Sequence, residues 1–543
     1  MRAILAGFLL LSTTLFGCVA KPALTPSSEG GAPWNELRSE HFVLLTDRPA
    51  DEARRALTEY ETTYDIFTHV VISGDLADPL PIQVVLFDRE KDYRSFAPRG
   101  AGAYFTPSLA HDPEPVPTLV LWGDLTNQQR LVFQHELAHH IFHRVLGPVP
   151  TWLGEGLAEY YSTLAVDGNS VVVGTPNPKY EFYFGGSWAR VDTGSLVRLR
   201  IPVGAIPTAK DLMALDRETF YEHGHEGEQT AEESKRRISH YAGSWALVHM
   251  MSHTPGYAEA FAEFLSLLSA GKGYPEALDK GLGGLLESAD KDLKEYLISR
   301  ERLMAKTTYT PKPSNILSAE RPLSDSDVRV LWNRLKPWTE PGPEKTPSKS
   351  VKADFDMAVM NAPENAGARL YRGIYHLTAG NPNDAEADLR VALAKSPGDS
   401  RVLIAVVIGC VKGKTRKEEF TPFCIEKFQS SIDTLAKVAR TPAAHGIVAS
   451  MLLGEDRVEE AFDHATRSVK ADPGCARCLH TLAEVMGKKG MFLDAMHVEE
   501  RAIAALYETQ DGKPYNERLK LYRKAYADEL KRKRDKANES KPE

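Results

Sequence analysis

Two histidines and a glutamate in the stretch QHELAHH have the residue types and the spacing to do chemistry together. His135 and His139 are four residues apart, and Glu136 directly follows the first of them. Side chains at this spacing share one face of a helix, so both imidazoles could bind one metal ion. A catalytic zinc ion takes three protein ligands and keeps one position for water, whose proton a neighbouring carboxylate can accept. The stretch therefore predicts two zinc ligands and a general base, Glu136.

A third ligand decides between a zinc site and a polar turn of an ordinary helix. Downstream, the stretch PTWLGEGLAEYY predicts a second helix, and Gly147 and Pro148 turn the chain back toward the first. Glu155 and Glu159 would lie one turn apart on one face of that second helix. A glutamate in this place can complete the ligand set, so the two stretches together favour a zinc site.

Hydrophobic periodicity predicts the elements that position these residues. A helical period over residues 126–146 places both histidines on one face. Residues 50–68 predict another helix. Runs rich in apolar and β-branched residues predict four strands, HFVLLT (41–46), PIQVVLF (81–87), AGAYF (101–105) and TLVLW (118–122). The motif thus follows a small unit of strands and helices.

The pattern W-L-x-E-G-L-A-E-Y after H-E-L-x-H resembles the gluzincin metallopeptidases, and among them most closely the peptidase MA-like domains. This resemblance implies an α+β, zincin-like metallopeptidase domain over residues 35–305 and a bound Zn²⁺. It also implies that Glu155 is the third zinc ligand and that Glu159 orients a histidine ligand. The chain departs from the larger families in a shorter connection between the two helices and in Gly154, where those families have asparagine. Neither change removes a ligand.

A hydrogen-bond donor is also needed, because attack on a peptide carbonyl develops negative charge on its oxygen. The stretch SHYAGSWALVHMM (239–251) resembles the helix that follows the site in peptidase MA-like domains. This makes Tyr241 the candidate donor, with packing in the core as the alternative. The gluzincin resemblance further implies that an edge strand, AGAYF or TLVLW, pairs with an extended peptide substrate.

Other histidines near the motif are predicted to be bystanders. His139 and His143 also have the spacing of the motif, but no glutamate follows His139, so this pairing lacks a base. We expect His140 and His143 to be partly exposed. The loop YEHGHEGE (221–228) could bind a metal weakly, but its glycines and acidic residues are typical of a solvated loop.

The second half of the chain repeats small and apolar residues with a period of 34 residues. One such period separates Pro363 from Pro397, and another separates Ala461 from Ala495. This spacing resembles tetratricopeptide (TPR) repeats and implies an all-α TPR solenoid of about five helical hairpins over residues 326–508. TPR repeats imply a protein partner.

Segments of biased composition flank the predicted solenoid. Residues 306–325 are predicted as a linker, since proline, serine and lysine become frequent there. Residues 509–543 are predicted as a charged, helical or disordered tail. Within the solenoid, the unit near residues 400–440 is expected to be degenerate.

The N-terminal stretch MRAILAGFLLLSTTLFGC has the pattern of a secretory signal peptide, residues 1–18. Its end, LFGC, resembles a bacterial lipobox, which implies cleavage before Cys18 and lipidation of the Cys18 thiol, followed by a tether (19–34). Such a protein is anchored to a membrane of the bacterial cell envelope. Val19 after the cysteine favours the outer membrane, facing the periplasm or the cell surface. The alternative is a buried helix that ends in a cysteine.

Four further cysteines form two candidate pairs. In an oxidising compartment, Cys410 and Cys424 could form a disulfide across the degenerate hairpin. Cys475 and Cys478 form a C-x-x-C pair at a predicted helix start, but the sequence around them lacks the strands of a thioredoxin-like unit. The sequence leaves both pairings undecided.

The composition fits a multidomain globular protein. The chain has 543 residues, of which 42% are hydrophobic and 26% charged, and a single core rarely serves more than about 300 residues. The formal net charge of −8 argues against nucleic acid as a partner. Together the motifs predict a membrane-anchored zinc metallopeptidase whose solenoid recruits a protein substrate or partner. The alternative is a non-catalytic scaffold or assembly lipoprotein with a structural or relict zinc site.

Overall fold

The computed structural model describes residues 24–539 with internal gaps. The gaps are residues 73–75, 77–79, 99–101, 107, 110, 125–126, 184–187, 193–196, 222–229, 300–303, 311–316, 341–345, 418–420 and 507–511. The predicted signal peptide and Cys18 lie outside the described residues, as does most of the loop 221–228. Among the helices described, none combines the length and the apolar character needed to cross a membrane.

A six-stranded mixed sheet forms the centre of the N-terminal domain, and two small three-stranded sheets lie beside it. The strands are β1 (Asn35–Arg38), β2 (Phe42–Thr46), β3 (Ile82–Phe87), β4 (Tyr104–Thr106), β5 (Thr118–Trp122), β6 (Ala165–Asp167), β7 (Ser170–Val173), β8 (Tyr180–Tyr183), β9 (Ala189–Asp192), β10 (Val197–Pro202), β11 (Ala305–Thr308) and β12 (Ala319–Pro322). The large sheet has the order β12-β1-β2-β3-β5-β4, in which β2, β3 and β5 are parallel. The four predicted strands are confirmed, although β4 is shorter than AGAYF.

Ten helices described in this domain surround the sheet and carry the candidate site. They are α1 (Ala50–Ile66), α2 (Glu90–Tyr93), α3 (Asn127–Leu146), α4 (Thr151–Tyr161), α5 (Ala209–Ala214), α6 (Arg217–Tyr221), α7 (Ala231–His253), α8 (Tyr257–Ser269), α9 (Tyr274–Leu282) and α10 (Ala289–Ile298). Helix α3 carries QHELAHH and packs against α4, which carries WLGEGLAEY. Gly156 lets α4 approach α7 closely, since a Cβ there would lie 2.6 Å from Val248 Cγ2.

The repeat half of the chain is an all-α array, as the 34-residue period predicts. Its helices are α11 (Asp325–Arg334), α12 (Lys349–Asn361), α13 (Ala366–Thr378), α14 (Pro382–Lys395), α15 (Ser400–Lys417), α16 (Pro422–Val438), α17 (Pro442–Gly454), α18 (Val458–Ala471), α19 (Ala476–Lys488), α20 (Phe492–Ala504) and α21 (Lys513–Glu539). In the described part, consecutive helices from α11 to α20 pair into five hairpins. Alanines that recur at this period are fully buried in them, namely Ala358 with Ala392 and Ala461 with Ala495.

Both cysteine pairs left undecided by the sequence form disulfides in the array. Cys410 of α15 is bonded to Cys424 of α16, within the unit predicted to be degenerate. Cys475 is bonded to Cys478, and the Cys475 sulfur accepts a hydrogen bond from the Cys478 backbone at the start of α19. The first disulfide joins the two helices of the longest hairpin.

The boundary between the two halves differs from the predicted linker and tether. Within residues 306–325, β12 pairs with β1 at one end of the large sheet. Trp34, at the end of the predicted tether, is only 2% exposed and packs against Phe87 and Trp332. The helix α11, expected to open the solenoid, thus covers one face of the sheet. Side chains of β12 are exposed. Its pairing depends on backbone hydrogen bonds and on ion pairs, such as Arg321 with Glu36 and Glu320 with Arg54, which leave no apolar pattern in the sequence.

The predicted tail is also more ordered than its charge suggests. Leu519 and Tyr522 of α21 are buried, and Tyr522 packs against Gly487 of α19. Helix α21 therefore covers the open end of the last hairpin. It runs on to Glu539 because its Lys, Arg and Glu residues favour helix and pair along its length, as Lys533 does with Glu529.

The loop between β4 and β5 ties the N-terminal domain to the array. Asp112 accepts a hydrogen bond from Arg334 Nη2 at 2.7 Å. Glu114 is 2% exposed and accepts hydrogen bonds from two hydroxyls at helix starts, those of Ser400 and Thr441. These partners belong to α11, α15 and the cap of α17, the first helices of their hairpins.

The other first helices make the same kind of contact. Tyr371 of α13 donates its hydroxyl to Asp112 at 2.9 Å. Arg144, near the end of α3, donates to the carbonyl of Ala471 at 3.1 Å, and the turn at Gly147 approaches Gly474 just before α19. The layer of first helices therefore faces the N-terminal domain.

Candidate metal centre

The three predicted zinc ligands converge where α3 contacts α4. Glu155 Oε2 lies 3.3 Å from His135 Nε2 and 3.4 Å from His139 Nε2. The two imidazole nitrogens are 3.1 Å apart. In the described part of the chain, these three residues are the one group of His, Cys, Asp or Glu side chains close enough to hold a metal ion together.

The separations fit a zinc ion. Ligand atoms about 2.0–2.1 Å from a tetrahedral zinc stand roughly 3.3–3.4 Å from one another, close to the values seen here. Glu155 Oε2 is buried and faces the two imidazoles, but among the described residues no well-aligned hydrogen bond reaches it, whereas most buried polar atoms have one. A cation between the three ligand atoms would supply a partner for this oxygen. Two imidazoles and one carboxylate are also a ligand set that zinc enzymes use.

A tyrosine that the sequence analysis missed holds the other oxygen of Glu155. Tyr221, the last residue of α6, donates its hydroxyl to Glu155 Oε1. Burial, and then the Glu155 carboxylate, raise the pKa of Tyr221 well above its ordinary value, so the hydroxyl keeps its proton. This bond leaves Oε2 to face the histidines. In the sequence, Tyr221 only opens the loop interpreted as solvated.

Glu159 lies one turn after Glu155, on the far side of the His135 ring. Its Oε1 is 3.7 Å from His135 Nδ1, the ring nitrogen opposite the one that faces Glu155. Asn177 donates through Nδ2 to Glu159 Oε2 and fixes the carboxylate. Glu159 is therefore on the side of His135 from which a carboxylate can orient the ring. The 3.7 Å separation is longer than a direct hydrogen bond.

The ligand side chains form a coupled cluster of charges. Burial disfavours the charged form of Glu155, but His139 and His135 outweigh it and hold the pKa of this carboxyl well below its ordinary value. Burial likewise disfavours protonation of His139, but Glu155 outweighs it and raises the pKa of this imidazole to about 9. The carboxylate is therefore ionised, as a metal ligand must be. Metal binding would release the proton of His139.

Glu136 and Tyr241 lie beside the same cluster. Glu136 is half-buried on α3, next to His135. The ring centroid of Tyr241, on α7, is 6.4 Å from that of His135 and 5.4 Å from that of Phe220. Burial, and then the charge of Glu155, raise the pKa of Tyr241 well above its ordinary value, so its hydroxyl is a donor at neutral pH. The Tyr241 ring packs against Phe220 in the core and also lies next to the ring of a candidate ligand. The geometry is therefore compatible with a hydrogen-bond donor and with a core residue, the two interpretations from the sequence.

His140 differs from its predicted exposure. It is 3% exposed, and its ring packs against Phe105 of β4 at a centroid distance of 5.6 Å. His143 is half-buried, and burial lowers its pKa. The reason is that the repeat array covers the C-terminal part of α3, a contact between residues far apart in the sequence.

The edge strand beside the centre is β4. Because β5 lies between β3 and β4, this edge of the sheet is formed by β4, which includes the end of the AGAYF segment, and not by TLVLW. Helix α3 packs against β4, and in the described part of the chain no further strand pairs with β4 on its outer side. An extended peptide could add there as a further strand.

Comparison with known proteins finds structural neighbours only. No protein-family model matches the sequence, and no curated protein matches it. The chain is similar to the MamA protein, with 16% identity and a TM-score of 0.23 over 28% of this chain and 80% of that one. It is also similar to a chain of the APC/C hetero-tetramer Cut9-Hcn1 (16% identity, TM-score 0.28, 33% of each chain). A third neighbour is a thermophilic TPR protein of Thermus thermophilus (14% identity, TM-score 0.27, 33% of this chain and 90% of that one).

These similarities give no information on the chemistry of the metal centre. The chain spans only a third of the Cut9-Hcn1 chain that it matches. At such TM-scores and identities, the neighbours do not identify a function for this chain. Function is therefore inferred from the geometry of the site and from the array itself.

Proposed function

We propose that the protein is a zinc-dependent peptidase in which His135, His139 and Glu155 bind the metal. One observation supports this most: three ligand atoms from two helices converge, and the buried Glu155 Oε2 among them has no other partner in the described residues. A purely structural helix pair would be expected to satisfy that oxygen within the protein. The neighbouring Glu136 favours a catalytic centre, because a structural zinc site needs no base.

The side chains around the centre have distinct tasks in this proposal. Zinc, when bound, supplies a Lewis acid that makes water more acidic and a carbonyl more electrophilic. Glu136 accepts a proton from the attacking water and passes it to the leaving amine. Tyr241 donates a hydrogen bond to the carbonyl oxygen as negative charge develops on it. Tyr221 and Glu159 hold ligand side chains in place, and β4 aligns the peptide backbone.

The test is cleavage of an unfolded protein substrate by wild type and by Glu136→Gln. The variant should keep its zinc and lose activity by roughly a hundredfold or more, since a general base contributes about 10²–10⁴ in rate. Glu287→Gln changes an exposed glutamate outside the centre and should leave activity unchanged. Equal activity of Glu136→Gln and wild type would contradict the proposed reaction.

A non-catalytic scaffold is the second candidate function. The five hairpins favour it, because stacked helical repeats offer a long surface to a partner protein. The repeat-containing neighbours agree with this candidate better than with a peptidase, but their similarity is too low to decide between the two. Since the first helices face the N-terminal domain, a partner would bind the second helices, where Met360 and Ile425 are exposed. Loss of a cross-linked partner in Met360→Lys and Ile425→Lys, with zinc binding unchanged, would support it.

We also propose that lipid on Cys18 anchors the protein to the outer membrane of a bacterial cell envelope. The support is the lipobox-like LFGC at the end of an apolar N-terminal run. Metabolic labelling with a fatty acid should mark wild type and not Cys18→Ser. Membrane fractions should then contain wild type but lose the variant, whereas an unlabelled wild type would contradict the anchor.

A further inference from the structure

A chamber of about 420 Å³ lies between the N-terminal domain and the repeat array. On the N-terminal side, Phe105 of β4 and His140 and His143 of α3 line it. Its size falls in the range of about 300–1,000 Å³ that ligand pockets occupy. The chamber therefore has room for ligand groups beyond a few waters.

The array supplies a wall that is mainly apolar. Ile408 comes from α15, Ala443 and Ile447 from α17, and Cys478 from α19. Ala443 and Ile447 are half-buried, so part of each faces the chamber. We call the space bounded by these residues and by Phe105, His140 and His143 the interdomain pocket.

Of the four charged residues that line the interdomain pocket besides its histidines, Asp112, Arg144 and Asp472 are bonded to the protein, Asp472 by accepting from the Gly474 backbone N–H. Asp112 is bound to Arg334 at 2.7 Å, and Arg144 donates to the carbonyl of Ala471. Arg477 is exposed to solvent. An apolar group entering the pocket would thus meet aliphatic and aromatic carbon without breaking an ion pair.

The interdomain pocket shares helix α3 with the metal centre and shares the edge strand β4 through Phe105. His139 belongs to the ligand set and His143 to the pocket, and the two lie one helical turn apart, about 5.4 Å along α3. Phe105 belongs both to β4 and to the pocket wall. An extended peptide advances about 3.3 Å per residue. A peptide paired with β4 therefore reaches the pocket one or two residues from the bond at the metal centre.

We propose that the interdomain pocket binds an apolar side chain of the peptide substrate, one or two residues from the bond that is cleaved. This rests on the proposed peptidase function and adds its substrate class, peptides with a large aliphatic or aromatic residue at that position. Because α15, α17 and α19 form one wall, the repeat array takes part directly in substrate selection. Gly, Asp and other residues that leave the pocket unfilled are poor at that position.

The experiment uses full-length protein and fluorescence-quenched peptides with Leu or Gly at each position around the cleaved bond. Wild type should prefer Leu at one position by about tenfold or more in kcat/KM, as expected for burying such a side chain. Ala443→Phe fills the interdomain pocket and should reduce this preference about tenfold, measured as the ratio of kcat/KM for the Leu peptide to that for the Gly peptide. Ala387→Phe, on the exposed surface of α14, is the matched control and should behave as wild type.

Ile447→Ala is the second variant, because it enlarges the interdomain pocket without the risk of overpacking. It should shift the preference from Leu toward Trp at the same position. If the protein cleaves peptides and neither Ala443→Phe nor Ile447→Ala alters the preference, the pocket proposal is overturned while the peptidase stands.

A binding measurement separates the two proposals when cleavage is absent. If wild type cleaves no peptide, the peptidase proposal fails, and the labelled Leu and Gly peptides are then titrated into Glu136→Gln. Tighter binding of the Leu peptide, lost on adding Ala443→Phe, supports the pocket. Equal affinity for the two peptides overturns it.

Discussion

Removal of the Glu114 carboxylate should loosen the contact between the N-terminal domain and the array. Glu114 is buried and accepts hydrogen bonds from the hydroxyls of Ser400 and Thr441. A hydrogen bond to a charged group contributes roughly 1.5–3 kcal/mol, so the loss of two in Glu114→Ala should lower the free energy of unfolding by about 3–6 kcal/mol. Glu114→Gln keeps the shape and one acceptor oxygen, and a hydroxyl can turn to accept from its amide. It should therefore cost only about 1 kcal/mol.

The assay is urea unfolding followed by tryptophan fluorescence, with the exposed Glu287→Ala as control. A double-mutant cycle of Glu114→Ala with Thr441→Val should give a coupling energy of about 1.5–3 kcal/mol. Backbone amides of the loop between β4 and β5 should exchange faster in Glu114→Ala, whereas those of α4 should not. A stability within about 0.5 kcal/mol of wild type and no coupling to Thr441 would refute the idea that this loop joins the two halves.

Three further predictions concern the centre, the array and the packing of α4. Tyr221→Phe removes the donor that holds Glu155 Oε1 and should weaken zinc binding by roughly 10–100-fold in a chelator competition titration; an unchanged affinity would rule out an orienting role. Burial and the adjacent His464 lower the pKa of His445 from its usual 6.5 to about 4. The unfolded chain takes up that proton first, so stability should be full above pH 6.5 and decline as the pH falls toward 4, with a flatter profile in His445→Gln; identical profiles would contradict this. Gly156→Ala would put a methyl 2.6 Å from a side-chain carbon of α7 and should lower the free energy of unfolding in urea by about 1–3 kcal/mol. Gly204→Ala, whose methyl would meet nothing within 4 Å, should leave it unchanged.

The convergence of the three candidate ligands was predictable because its information is local in sequence. His135 and His139 share a helix face by their spacing alone, and Glu155 follows after a single turn. Tyr221, in contrast, reaches Glu155 from a short helix far along the chain, and no periodicity links the two. Tertiary contacts of this kind leave no local signal.

The two-part architecture was also predictable, but the boundary between the parts was not. The 34-residue period requires stacked hairpins, each burying its small residues against the next. The exposed strand β12 carries no apolar alternation, and its place beside β1 depends on backbone pairing and on ion pairs such as that of Arg321 with Glu36. The burial of His140 was also not predictable, because its ring packs on Phe105 of β4 and the array contacts α3 nearby through Arg144 and Ala471, residues far apart in the sequence.

Zinc content of purified full-length protein tests the metal centre most directly. The wild type should hold one zinc ion per chain, with two imidazoles and one carboxylate as its protein ligands in X-ray absorption spectra. His139→Ala and Glu155→Gln should each lose the ion or bind it far more weakly, and Glu287→Gln should bind it as wild type does. A wild type that takes up no zinc from a stoichiometric solution, or zinc binding that survives both ligand substitutions, would contradict the assignment.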